Sequence, residues 1–158
     1  MAHVDIGARV LREHPEVTHL MVGDGPLRGQ VDAAIRQQGL DGRIRLLPAR
    51  ADVPDLLTVS KVLLLASHTE GMPGCLIEAG MMGLPVAAYA IAGVPEVVVD
   101  RVTGCLTPPG DRQALAESVL ELLENPGRSG GWVYTDPVVL QSQVRARVRF
   151  LRLSRASR

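Results

Sequence analysis

Glu70 and Glu78 stand eight positions apart, with Gly71, Met72, Pro73, Gly74 and Cys75 between them and the apolar pair Leu76-Ile77 just before the second carboxylate. A strand-like run, 62–66, precedes this segment, and a helix-like run follows it. Strand, glycine loop and helix start therefore come in order. The N–H groups of a first helical turn lack intrahelical partners and carry the positive end of the helix dipole, which suits them to a phosphate. Glycines let a ligand come close to the backbone. A carboxylate accepts hydrogen bonds from paired hydroxyls, so a glutamate at each end of the loop suits a polyhydroxylated, anionic ligand of the nucleotide-sugar kind. The same residues also describe an ordinary turn in which a glutamate complements a helix dipole, and a single short motif does not separate the two.

Other chemistry-bearing residues are sparser. His3, His14, His19 and His68 are scattered, and His68 precedes the glycine loop either as a cleft residue or as a plain loop histidine. Asp24 in Gly23-Asp24-Gly25 lines a cleft or simply serves the turn. Glu96 reads as a helix-start residue, and Met81 and Met82 as core or helix-face residues. Cys75 and Cys105 are the only cysteines, with no nearby Cys or His at metal-ligand spacing, so neither a disulfide framework nor a zinc site is expected. No nucleophilic triad is apparent.

The elements that must position these groups alternate regularly. Helices are expected at 6–14, from Pro26 to Gly39, at 53–60, 75–82, 95–99 and 113–124, the last capped by Asp111. Strands are expected at 19–22, 44–47, 62–66, 84–89 and 103–107, and most are apolar throughout. That pattern predicts an α/β fold with a doubly wound parallel sheet covered on both faces. At 158 residues, 46% hydrophobic and 22% charged, the chain is about one domain long, and its 3% aromatic content puts the core on Leu, Val, Ala and Met. No apolar run has the length of a membrane span and no signal-peptide pattern opens the chain, so a cytoplasmic location is the default. The formal net charge of zero conceals Arg145, Arg147, Arg149, Arg152, Arg155 and Arg158 at the end. These arginines lack the interleaved aromatics of a single-strand binder, and no nucleic-acid partner is expected. From Gly127 the alternation stops, which divides the chain into a domain at 1–126 and a divergent basic tail at 127–158.

Ordered landmarks then give a resemblance. Val22-Gly23-Asp24-Gly25-Pro26-Leu27, Ser67-His68-Thr69-Glu70-Gly71-Met72-Pro73 through Glu78-Ala79, Gly83-Leu84-Pro85-Val86, Gly93-Val94-Pro95-Glu96, and Thr103-Gly104-Cys105-Leu106 with Pro108-Pro109-Gly110-Asp111 follow one another. Over 17–126 the chain resembles the C-terminal, donor-binding domain of the family 4 glycosyltransferases, whose GT-B fold has two Rossmann-like domains. The resemblance implies that Glu70 acts catalytically and faces the donor sugar, and that Gly71, Met72, Pro73, Gly74 and Cys75 approach sugar and diphosphate. It implies that Glu78 holds the ribose diol, that the backbone at Ala49 and Arg50 lines the base pocket, and that Gly23, Asp24 and Gly25 form a cleft loop. It further implies a retaining hexosyl transfer from a nucleoside diphosphate sugar, without a metal or other cofactor, to a lipid-linked, glycan or small-molecule acceptor held on an N-terminal domain. A lipid-linked acceptor would bring the protein to the membrane periphery. Other readings of the same pattern are a nucleotide-binding module or fragment without catalysis, and a sugar-nucleotide epimerase of similar fold. In such a domain a basic pair and the first, central strand precede the helix at 6–14. The chain is therefore expected to be truncated, with the strands at Leu20 and Leu64 pairing directly or leaving a gap, and with marginal stability.

Overall fold

The structure, a computed structural model, describes residues 2–125, and the expected basic tail at 127–158 lies outside them. The elements run α1 (Ala2–Glu13), β1 (His19–Val22), α2 (Arg28–Gln37), β2 (Ile44–Leu47), α3 (Val53–Val59), β3 (Leu63–Leu65), α4 (Gly74–Met81), β4 (Val86–Tyr89), α5 (Val94–Val97), β5 (Gly104–Thr107) and α6 (Arg112–Glu124). Every expected element forms. The helix expected from Pro26 starts later, because Gly25 to Arg28 closes a turn in which the Arg28 N–H donates to the Gly25 carbonyl at 3.0 Å. The Asp111 cap forms as expected, its carboxylate accepting from the Ala114 N–H at 2.9 Å.

Among the described residues all strand pairs are parallel, but the sheet is in two parts. β1 pairs with β2, and separately β3, β4 and β5 pair in that order. The strands at Leu20 and Leu64 do not pair with each other, so of the two expected arrangements the divided one is observed. The expected cover on both faces holds for β4, whose residues are all buried, but not for β1, where His19, Leu20 and Met21 are half-buried and Val22 is exposed.

α1 holds the two parts together, and its sequence explains how. Ala2, Ile6 and Val10 enter the core built on β4, β5 and α6. Val4 and Leu11, on an adjacent stripe, enter a second core with Ala34, Ile35 and Ile44 of α2 and β2. A helix with two neighbouring apolar stripes packs on two partners at once. Ion pairs from Arg112 to Asp5 (2.6 Å) and from Arg9 to Glu117 (3.1 Å) join α1 to α6. His3 and His19 lie between the parts: the His3 Nε2 accepts a hydrogen bond from the Ala66 N–H at the end of β3 (3.3 Å), and the two rings meet edge to face at 6.4 Å. Burial pushes the pKa of each imidazole down to about 4.

The opposite face of the larger sheet carries α3, α4 and α5, whose Leu57, Leu76, Ala79, Val94 and Val97 pack on Val86 and Ala88. Of the two places expected for Met81 and Met82, the exposed helix face and not the core is observed, and among the described residues the largest fully buried side chain is Tyr89.

Candidate donor-binding site

Because the strands of each part are parallel, the loops that follow them gather on one edge of that part. Register aligns Val22 with Leu47, Leu65 with Ala88, and Tyr89 with Thr107, so residues 23–27 and 48–52 leave the C-terminal edge of one part together, and residues 66–73, 90–93 and 108–111 that of the other. Ligands of open α/β sheets bind outside this edge, where the order of strands reverses.

The glycine loop comes off β3 and leads directly into α4. Pro73 is the N-cap residue, its side chain has nothing with which to cap, and α4 has no side-chain cap. Its first turn is thus open to an acceptor from outside. Glu70 is half-buried at the start of the loop, while Gly71, Met72 and Gly74 are exposed and Pro73 is buried beneath them. Glu78 is exposed on α4. Cys75 lies within the influence of both carboxylates: burial raises its thiol pKa most, and Glu70 and then Glu78 add to the rise. N–H groups of Cys75 and Leu76 act in the opposite direction without reversing the sign. The residue is therefore a neutral thiol at ordinary pH, and the electrostatics bring Glu70, Cys75 and Glu78 into one neighbourhood.

Two further loops frame this one. Gly23 has a φ of +133°, a conformation that favours glycine, and its N–H donates to the Leu47 carbonyl at 3.1 Å. The next residue, Asp24, reaches across to the β2 loop and accepts from the Ala49 N–H at 2.7 Å. Arg28 holds Asp24 from the other side, with Nη1 at 3.0 Å from the carboxylate, and also donates to the Gly23 and Leu46 carbonyls. Arg50 pairs with Asp52, which raises the guanidinium pKa and lowers that of the carboxylate. Gly25, Ala49 and Arg50 are exposed beside these contacts.

The expected site residues thus fall into two groups, the 70–78 segment after β3 and the 23–25 and 49–50 loops after β1 and β2. Three contacts escaped the sequence reading. Gly93 packs on the backbone of Gly71, the Tyr89 ring lies 5.9 Å from that of His68, and Asp24 binds Ala49. Gly93 lay within a recognised landmark, but nothing in the sequence signalled its partner. Among the described residues no group of His, Cys, Asp or Glu gathers where it could hold a metal ion, and no helix is long and apolar enough to cross a membrane.

Parallel strands, an uncapped helix behind a glycine loop and carboxylates at both ends of that loop define the Rossmann-like, C-terminal half of a GT-B fold. The chain belongs to the group 1 glycosyl transferases, whose sequence model matches residues 4–125. It is 38% identical over 103 residues to the Vi polysaccharide biosynthesis protein VipC/TviE of Salmonella typhi, a match over 65% of this chain and 18% of that protein. Anabaena Alr3699/HepE, solved in complex with UDP-glucose, superposes with a TM-score of 0.76 at 29% identity, over 83% of this chain and 37% of that one. The C-terminal domain of the group 1 family protein LpcC from Francisella tularensis has the same fold, with a TM-score of 0.74 at 22% identity, over 89% of this chain and 77% of that domain. The chain thus spans a minor part of the length of the VipC/TviE and HepE proteins.

Proposed function

We propose that residues 2–125 are the donor-binding domain of a retaining, family 4 glycosyltransferase that moves a hexosyl group from a nucleoside diphosphate sugar to an acceptor held on a second domain. The observation that carries this reading is the uncapped start of α4, set between Glu70 and Glu78 at the C-terminal edge of the strands. The UDP-glucose bound by the related HepE supports a nucleotide sugar as the donor.

In this reading the diphosphate lies over the N–H groups at the start of α4. As the bond from sugar to phosphate breaks, negative charge grows on the leaving diphosphate, and preoriented N–H dipoles stabilise that charge more than they stabilise the ground state. Glu70 orients the donor sugar through its hydroxyls, and Glu78 binds the ribose diol. The loop at Ala49 and Arg50 faces the base. The donor is a substrate, and the reading includes no metal or other cofactor. A cytoplasmic enzyme fits a nucleotide-sugar donor, and a lipid-linked acceptor would draw it to the membrane surface.

The two carboxylates give the test. By calorimetric titration, Glu78→Ala should weaken binding of a nucleoside diphosphate by at least about tenfold, the scale of a lost hydrogen bond to a charged group. Glu70→Ala should leave the bare nucleoside diphosphate unaffected and weaken the sugar nucleotide. Absence of heat from folded wild-type protein with UDP, GDP and ADP would reject the site.

A further inference from the structure

Asp24 stands apart from the other residues at the strand edge because its side chain joins two loops. Its carboxylate accepts from the Ala49 N–H at 2.7 Å, across 25 residues of sequence, and is itself held by the Arg28 guanidinium at 3.0 Å. Arg28 is anchored in turn on the carbonyls of Gly23 (3.3 Å) and Leu46 (3.2 Å). Gly23, Asp24, Arg28 and Ala49 are exposed, so these bonds and not burial set the position of the loop after β2. The preceding residue is Pro48, which has no N–H, and the Ala49 N–H is already engaged. The start of this loop therefore has no backbone donor left for a ligand before Arg50.

We propose that Asp24 is a positioning residue for base selection: by fixing the Ala49 N–H it sets the shape of the loop that reads the nucleobase and removes one donor from that loop. This inference rests on the nucleotide-sugar reading of the site. Asp24 touches neither sugar nor phosphate in it, and acts through Ala49. A role confined to stability would lower affinity for every ligand alike. A role in base reading alters the ratio between bases and spares a ligand that has none.

The test uses the full chain and titrates UDP, GDP, ADP and inorganic pyrophosphate into wild type, Asp24→Ala and Asp24→Asn. Wild type should favour one base. Asp24→Ala should weaken the favoured nucleotide by about tenfold or more, the scale of one hydrogen bond to a charged group, and narrow the ratio between bases. Pyrophosphate affinity should stay within about twofold, since the α4 start is untouched. Asp24→Asn keeps an oxygen for the Ala49 N–H and should retain most of the discrimination. The proposal is overturned by an unchanged base ratio in Asp24→Ala, by an equal loss of pyrophosphate, by a loss in Asp24→Asn as severe as in the alanine variant, or by a wild type that binds all bases equally. Failure of wild type to bind any nucleotide instead removes the site reading on which it depends.

Discussion

Gly93 lies directly against the backbone of Gly71. A Cβ built on Gly93 would stand 2.3 Å from the Gly71 carbonyl oxygen and 3.3 Å from its carbon. The β4–α5 loop is thus the floor on which the glycine loop rests. Gly93→Ala cannot be absorbed by a side-chain rotation, because the clashing atom is backbone. We expect it to displace the loop at Gly71, weakening nucleotide-sugar binding by more than about tenfold, with an overpacking cost of roughly 1–3 kcal/mol in stability. Calorimetry with a sugar nucleotide and a thermal melt would measure the two effects, and unaltered affinity would sink the idea of a shared floor.

Gly74 is the opposite case. It is exposed, its backbone lies outside the left-handed region, and a Cβ there would meet nothing within 4 Å. The fold therefore does not require glycine at the first position of α4. Gly74→Ala should stabilise the free protein by about 0.4–1 kcal/mol through the lower entropy of its unfolded chain and its better helix propensity. If the diphosphate lies against this backbone, the same methyl group should weaken nucleotide binding. A variant that melts higher and binds less tightly is the expected result, and one that binds as well as wild type would place the ligand elsewhere.

Tyr89 carries a hydroxyl that is buried without a hydrogen-bond partner, on a ring 5.9 Å from His68. Burial also pushes the Tyr89 pKa upward, since the charged form is the harder to hold there. A buried polar group left unpaired costs about 1–3 kcal/mol, whereas its removal in an isosteric replacement is neutral or favourable. Tyr89→Phe keeps the ring on His68 and should leave the melting temperature equal or raise it by a few degrees. A clear fall in that temperature would mean that the hydroxyl has a partner after all.

What the sequence made legible, and what it did not, follows the range of the interactions. Apolar runs such as Leu63-Leu64-Leu65 and Val86-Ala87-Ala88 are read locally, and so are the Asp111 cap and the glycine loop before α4. The bond from Asp24 to Ala49 depends on the register that sets Val22 beside Leu47, which no local pattern encodes. The contact between Gly93 and Gly71 likewise exists only once β3 and β4 are paired. The low aromatic content pointed to a core of Leu, Val, Ala and Met, yet Tyr89, at the end of a strand buried on both faces, is the largest fully buried side chain among the described residues. For Met81 and Met82 the sequence left core and helix face open, and the choice fell to the exposed end of α4, which no local pattern encodes.

The division between β1 and β3 has a consequence in pH. His3 Nε2 accepts the Ala66 N–H, so that nitrogen must be unprotonated and the proton of the neutral ring belongs to Nδ1. Protonating Nε2 would set donor against donor and place a charge beside the His19 ring. Burial holds both imidazoles down to about 4, below the ordinary 6.5, so between these values the unfolded chain binds more protons than the folded one. Stability is then complete above about pH 6.5 and is lost as pH falls toward 4. One pH unit below the ordinary value, each histidine removes about 1.4 kcal/mol, which for the pair lowers Tm by roughly 5–10 °C. His3→Gln retains an acceptor for Ala66 and cannot titrate, so its melting temperature should vary less between pH 7 and 5 than that of wild type. Melts at pH 7, 6 and 5 decide the matter: parallel curves for the two proteins would show that His3 is not the group that links the two parts of the sheet to pH.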